Sequence, residues 1–381
     1  MKKKITSFVT RRSIEAGVFL ILFFGVFGIL AHFMGTPNML NTIMKTSYSL
    51  LLDTVLYLMG ITVLSGALGK LLIEFGVVRL IEIALRPLMK PLYNLPGVAA
   101  LGGVLTFLSD NPAIIALSKD HNFSRYFKKY QLISLTNFGT AFGMGLIVIV
   151  FMAGRGFISA AMIGLGGAIV GSIISTRLMQ RFILKTYPSF KTDEAAGGDE
   201  EQISFKSEGG VFLRALNAVL DGGKTGVDLG LAIIPGVLII STFVMILTFG
   251  PSPDGTYTGA AYEGIGALPW LANKVSFIFE WLFGFTNPEL VAFPITSLGA
   301  VGAALGLIPR FQAQGIIDGN AIAVFTAMGM CWSGFLSTHT AMLDSLGYRQ
   351  LTPKALISHT IGGFCAGIFA HWAYVGIMLL F

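Results

Sequence analysis

Of 381 residues, 54% are hydrophobic and only 12% charged, and mean hydropathy is +0.75, whereas a soluble domain carries about 25% charged residues. This composition excludes an ordinary soluble domain and describes a polytopic integral membrane protein. The net charge of +6 comes from Lys and Arg gathered in a few loops, an orientation signal in a membrane protein and no sign of a nucleic-acid partner.

The N-terminal MKKKITSFVTRR precedes an apolar run from Ala16 to Met34. That arrangement resembles a signal peptide, but its end, ILAHFMG, offers no small-residue cleavage site, so a retained first helix is expected. With about 20 apolar residues per crossing, spanning helices are predicted near 14–34, 46–69, 131–153, 156–177, 226–249, 320–342 and 356–380. Two further apolar pieces, 95–118 and 287–309, are interrupted by Ser109-Asp110-Asn111-Pro112 and by Thr296-Ser297-Leu298-Gly299. Each is expected to be a helical hairpin that enters the membrane and turns back. Each follows an amphipathic stretch, 77–94 and 267–285, of the kind that lies in the interface plane. The polar, mixed-charge segment Tyr187 to Gly210 cannot bury a core and is a linker.

The linker divides two similar halves. At an offset of 190, Gly76 pairs with Gly266, Thr106 with Thr296 and Gly139 with Gly329; Asp53 pairs with Asp228 at 175, the difference matching an extra loop around PSPDGTYTGAAYEG. The chain therefore divides into a basic N-terminal segment with its first helix (1–44), a first repeat (45–186), a cytoplasmic linker (187–210) and a second repeat (211–381). Lys2, Lys3, Lys4, Arg11 and Arg12 place the N-terminus in the cytoplasm, and Lys70, Arg79, Arg86 and Lys90 put the first hairpin on that side. The loop at 250–262 lacks Lys and Arg, so the second hairpin enters from outside. The expected fold is an all-α integral membrane protein with an inverted structural repeat, two re-entrant hairpins, interfacial helices and seven spanning helices, a plan that recurs in secondary transporters.

Irregular backbone at membrane depth is tolerated where it is buried in protein or lines a cavity, because unsatisfied amides cost several kcal/mol in lipid. The hairpin tips therefore mark candidate sites. Pro112 suits the first turn of the returning half-helix. Asp110 has two roles open to it: a cap on that helix, or a carboxylate contacting solute, proton or Na⁺. The Gly-rich TNFGTAFGMG (Thr136 to Gly145) and TAMGMCWSG (Thr326 to Gly334) allow either close helix packing or unwound helix. Asn137 is a buried amide that needs partners. His339, His359 and His371 are read as packing or interhelical hydrogen-bonding residues, Cys331 and Cys365 as packing residues, and Asp53 and Asp228 as carboxylates near helix beginnings.

The stretches IALRPLMKPLYNLPGVAALGGVLTFLSDNPA, ALNAVLDGGKTGVDLGLAIIPGVLI and NPELVAFPITSLGAVGAALG resemble membrane proteins of the nucleoside-recognition (Gate) family, related to concentrative nucleoside transporters. The resemblance implies hairpin tips and unwound segments that bind solute and Na⁺ or H⁺. By position it points to Ser109, Asp110, Asn111, Asn137 and Thr140 in the first half and Thr296, Ser297, Thr326, Ser333 and Ser337 in the second. Asp110 and Asn137 are the candidates for cation coupling. Where the nucleoside transporters carry a glutamate at the second tip, ITSLGAVG has none.

The expected function is secondary active transport of a small polar, nucleoside-like solute, coupled to Na⁺ or H⁺, by elevator-type movement of the hairpin unit in a bacterial cytoplasmic membrane. A homodimer or homotrimer is expected, with no catalytic residue, resident metal or other cofactor. Two alternatives stay open: a non-transporting scaffold, and an intramembrane serine protease using Ser333 with His359 or His371. The latter's Gly-x-Ser-Gly motif is absent.

Overall fold

The computed structural model describes residues 11–193 and 209–380, and among them every regular element is helical. Seven helical stretches are long and apolar enough to cross a membrane. The first, α1 (Arg11–Met34), is peripheral: only 6% of its apolar window is buried in the protein.

The first repeat opens with α2 (Thr36–Glu74), continuous through a π turn at Leu50–Val55. It begins ten residues before the predicted span, with Pro37 in its first turn. The amphipathic α3 (Val77–Leu88) follows. On it the buried Glu82 carboxylate takes Arg79 and Arg86, each at 2.6 Å. The first hairpin comprises α4 (Ala99–Leu108) and α5 (Pro112–Lys119). Next comes a crossing interrupted in its middle, α6 (Lys129–Thr140) and α7 (Gly145–Gly154), then α8 (Ile158–Thr186).

The second repeat keeps this order. The long helix α9 (Val211–Thr248) has a π turn at Gly236–Ser241 and begins 15 residues before its predicted span. Two short helices, α10 (Ala267–Asn273) and α11 (Ser276–Phe283), replace the single amphipathic helix. The second hairpin is α12 (Ala292–Gly299) and α13 (Val301–Leu305). The second interrupted crossing is α14 (Gly319–Cys331) and α15 (Phe335–Ser345), with the Asp318 carboxylate accepting from the Ala321 amide at 2.7 Å to start it. The last helix is α16 (Thr352–Met378). Each repeat contributes three crossings, an odd number, so the second is inverted relative to the first.

Two expectations change. Asp53 and Asp228 are not at helix beginnings but inside α2 and α9, because both helices extend well upstream through polar residues; the Ser49 hydroxyl donates to Asp53 at 2.7 Å. The second hairpin does not turn at 296–299. Thr296 and Ser297 stay helical, returning their hydroxyls to the carbonyls of Ala292 and Phe293, each at 2.7 Å. The chain breaks instead at Ala300, which is extended at φ −166° and ψ 126°.

Without a hydrophobic drive between helices in lipid, association rests on close packing of small residues and on interhelical hydrogen bonds. The longest contact joins α2 to α9, where Gly66 faces Gly222 and the Thr62 hydroxyl donates to the Gly226 carbonyl at 2.7 Å. The Arg214 guanidinium closes the end of that pair on Glu74 at 2.6 Å. A second group packs α8 against α14 and α16, with Gly164 on Thr326, Gly167 on Ala327 and Ala366, and Gly171 on Gly362. The first hairpin leans on α2, where Gly69 meets the Leu108 backbone, and the second on α9, where the Ser241 hydroxyl donates to the Ala303 carbonyl at 2.8 Å.

Candidate functional site

The first hairpin turns through Ser109, Asp110 and Asn111, and Pro112 begins the returning helix without losing a hydrogen bond. Ser109 returns its hydroxyl to the Leu105 carbonyl at 2.6 Å. No side chain caps α5. Asp110 Oδ1 is buried without a hydrogen-bond partner, and so is Asn111 Oδ1. The Asp110 carboxylate meets the Asn111 backbone amide, and one buried side-chain oxygen of each of these two residues is left without a donor.

The Asn111 side chain, 4% exposed, is the centre of the arrangement. It reaches across to the second repeat, donating from Nδ2 to the Ser333 carbonyl at 3.2 Å. On one side it lies against Gly143, in the break between α6 and α7; on the other against Gly334, in the break between α14 and α15. A Cβ at Gly143 would overlap the Asn111 amide. At Gly334 a Cβ would overlap both that amide and the Thr338 hydroxyl, and the backbone there is left-handed at φ +62°, where glycine alone pays no steric cost. One hairpin tip thus sits between both interrupted helices.

The structure brings Ser109, Asp110, Asn111 and Ser333 together here and leaves other candidates elsewhere. Ser337 is exposed on α15 and bonds weakly to the Gly334 carbonyl at 3.4 Å. Thr140 donates to the Thr136 carbonyl at 2.5 Å. Thr326 packs on Gly164 with its hydroxyl unpartnered, and the Asn137 amide nitrogen faces Ser175, Ser358 and the Ala355 carbonyl at 2.8–3.0 Å while its Oδ1 has no partner. Thr296 and Ser297 are internally bonded on α12, and the second tip is apolar, with Gly299 against Ile240 and Gly302 against Ile233. His359 spends both ring nitrogens on Ser175 and the Cys331 carbonyl, so it does not activate Ser333.

Sequence reasoning missed Thr338, which no motif announced. It held Gly143 and Gly334 equally as packing and as unwound backbone; both lie in the unwound segments. A cavity of about 290 Å³ opens between α10–α11 and α12, but its lining, including Phe279, Leu298 and Trp332, is apolar and suits no polar solute.

Interrupted helices, helical hairpins and a buried polar tip joining the repeats define a class of helical membrane fold. A family described as nucleoside recognition, Gate, matches residues 55–156, which include the first hairpin and first broken helix. Over those residues the chain is similar to the Gate family, and its overall fold is similar to that of a concentrative nucleoside transporter. CNTnw in an inward-facing substrate-bound state superposes with a TM-score of 0.52 at 12% identity, covering 84% of this chain and 74% of that one. A doubly substituted CNTnw in an outward-facing state has the same TM-score and identity, covering 95% and 86%. An uncharacterized protein of Alkalihalophilus pseudofirmus is 32% identical over 90 residues, which is 23% of this chain and 19% of that relative's length.

Proposed function

We propose that this chain is a secondary active transporter of a small polar, nucleoside-like solute, coupled to Na⁺ or H⁺, and that the solute or the ion engages the Asp110–Asn111 tip. The observation that carries the reading is the pair of buried, unpartnered acceptors, Asp110 Oδ1 and Asn111 Oδ1, set between two interrupted helices. Buried acceptors are stabilised by donors or by a cation, and a polyhydroxylated or amine-bearing solute supplies the first, Na⁺ or a proton the second. The missing glutamate at the second tip makes the first tip the main polar contact. The hairpins and broken helices would move against a frame of α2 and α9, in a homodimer or homotrimer of a bacterial cytoplasmic membrane with the N-terminus inside. Transport, and not catalysis, is the activity.

The test is a thermal-stability screen of the purified protein against nucleosides, nucleobases, amino acids and organic acids, with and without Na⁺. A ligand at 100 times its Kd adds about 2.7 kcal/mol of stability. Nucleoside stabilisation that Asp110→Asn removes supports the reading; a panel without any stabilising compound favours a non-transporting scaffold.

A further inference from the structure

The break between α14 and α15 takes the Phe335 amide to the Trp332 carbonyl at 3.1 Å, so the Cys331 carbonyl lacks its usual helical partner. The Cys331 carbonyl, immediately before the break, is met by Nε2 of His359 on α16. The indole nitrogen of the next residue, Trp332, donates back to the His359 carbonyl at 3.3 Å. His359 Nδ1 lies 2.9 Å from the hydroxyl of Ser175 on α8, and that hydroxyl lies 2.8 Å from the amide nitrogen of Asn137 on α6. Asn137 stands one turn before the other break, and all four side chains are buried.

Donor and acceptor chemistry fixes the direction of this chain. A carbonyl only accepts, so His359 Nε2 carries the proton. The Asn137 amide nitrogen only donates, so Ser175 Oγ accepts from it. Ser175 then has one hydrogen to give, and the neutral imidazole's Nδ1 accepts it. Asn137 Nδ2 shares its two hydrogens among Ser175, Ser358 and the Ala355 carbonyl; from Ser175 the path runs to His359, and from His359 to the Cys331 carbonyl.

We infer that His359 is a positioning residue that holds the second helix break open, and that Ser175 and Asn137 tie this hold to the first broken helix. The tether holds Ser333 and Gly334 where the Asn111 tip meets them. The consequence for solute binding rests on the proposed transport function; the hold itself does not.

Hydrogen–deuterium exchange of the intact protein in lipid nanodiscs, with no solute added, tests the hold. In His359→Phe, amides 332–336 should exchange about tenfold faster, the loss expected from one buried hydrogen bond. His359→Gln, which keeps a side-chain N–H donor, should retain most of the protection. Ser175→Ala should also speed exchange at 332–336, by less, although Ser175 lies on another helix. Unchanged exchange in a folded His359→Phe protein, no rescue by glutamine, or no effect of Ser175→Ala at the second break would each overturn the inference. If His359→Phe fails to fold, the glutamine and Ser175 variants decide it. Because no solute is present, failure here leaves the transport reading standing, and an empty ligand screen leaves the tether standing.

Discussion

The two hairpins occupy equivalent places in the repeats, yet their tips are built from opposite materials. The first presents Ser109, Asp110 and Asn111, with two buried acceptors unpartnered and a helix start that no side chain caps. The second presents Ala300 and glycines against Ile233 and Ile240, and its Thr296 and Ser297 hydroxyls are satisfied within their own helix. Duplicated architecture thus carries different materials: one tip is polar with unmet acceptors, the other apolar and internally satisfied.

The largest effect should separate the glycines that seat each tip. Gly334→Ala forces a left-handed backbone onto a residue with a Cβ, costing about 1–2 kcal/mol, and drives that Cβ into the Asn111 amide and the Thr338 hydroxyl. Binding of any stabilising solute should fall more than tenfold. Gly299→Ala meets only the movable end of Ile240 and should leave binding within about twofold, since that side chain can shift to another rotamer. Equal losses in ligand titrations of the two variants would erase the contrast.

Next in size is Asp110→Asn, which keeps the shape and removes the charge. A loss of about tenfold in affinity, or about 1.4 kcal/mol, is expected, with a weaker response to Na⁺ or pH in the same titration.

A smaller effect concerns the loop that only the second repeat possesses. It is tied to α2 by the Asn38 side-chain amide on the Tyr257 carbonyl at 2.7 Å and by the Tyr262 amide on the Thr46 hydroxyl at 2.9 Å. Inside it Glu263 is buried, 4% exposed as a residue. Burial raises its pKa, but hydrogen bonds from the hydroxyls of Ser252 and Thr258 and from the amides of Thr258 and Gly259 outweigh burial and hold it below the usual value. A depressed folded-state pKa stabilises the fold above the unfolded value of about 4.3 and loses that contribution as pH falls through the folded value. Glu263→Gln should therefore lower stability at pH 7 by about 1 kcal/mol, read as a lower Tm, and the difference from wild type should shrink below pH 4. A constant difference across pH would contradict the carboxylate's role. Smallest of all, Thr296→Ala and Ser297→Ala should each change stability by no more than about 0.5 kcal/mol, because a helical back-bond adds little.

The repeat was legible because it is written in periodicity: apolar runs of membrane length, a charged linker and matching glycines. The first hairpin was legible for the same reason, since Ser109-Asp110-Asn111-Pro112 has no place in a continuous membrane helix. The second turn was misplaced because Thr and Ser look like breakers in sequence while their hydroxyls can fold back onto carbonyls four residues earlier. The starts of α2 and α9 were placed late because Asn38, Asn41 and Arg214, Asn217 are polar, and hydropathy cannot see helix that continues beyond an apolar stretch. Asn111's position between Gly143 and Gly334, and the path from Asn137 to Cys331, join residues about 200 positions apart. No local pattern encodes such meetings; packing of α8 against α14 and α16 creates them.

The contrast between the tips is tested most directly by one ligand titration of thermal stability, using the strongest stabilising compound from the solute panel on three proteins: wild type, Asp110→Asn, and Thr296→Ala combined with Ser297→Ala. The account predicts that Asp110→Asn loses most of the ligand-induced shift while the double variant keeps it. An intact shift in Asp110→Asn together with a lost shift in the double variant would contradict it.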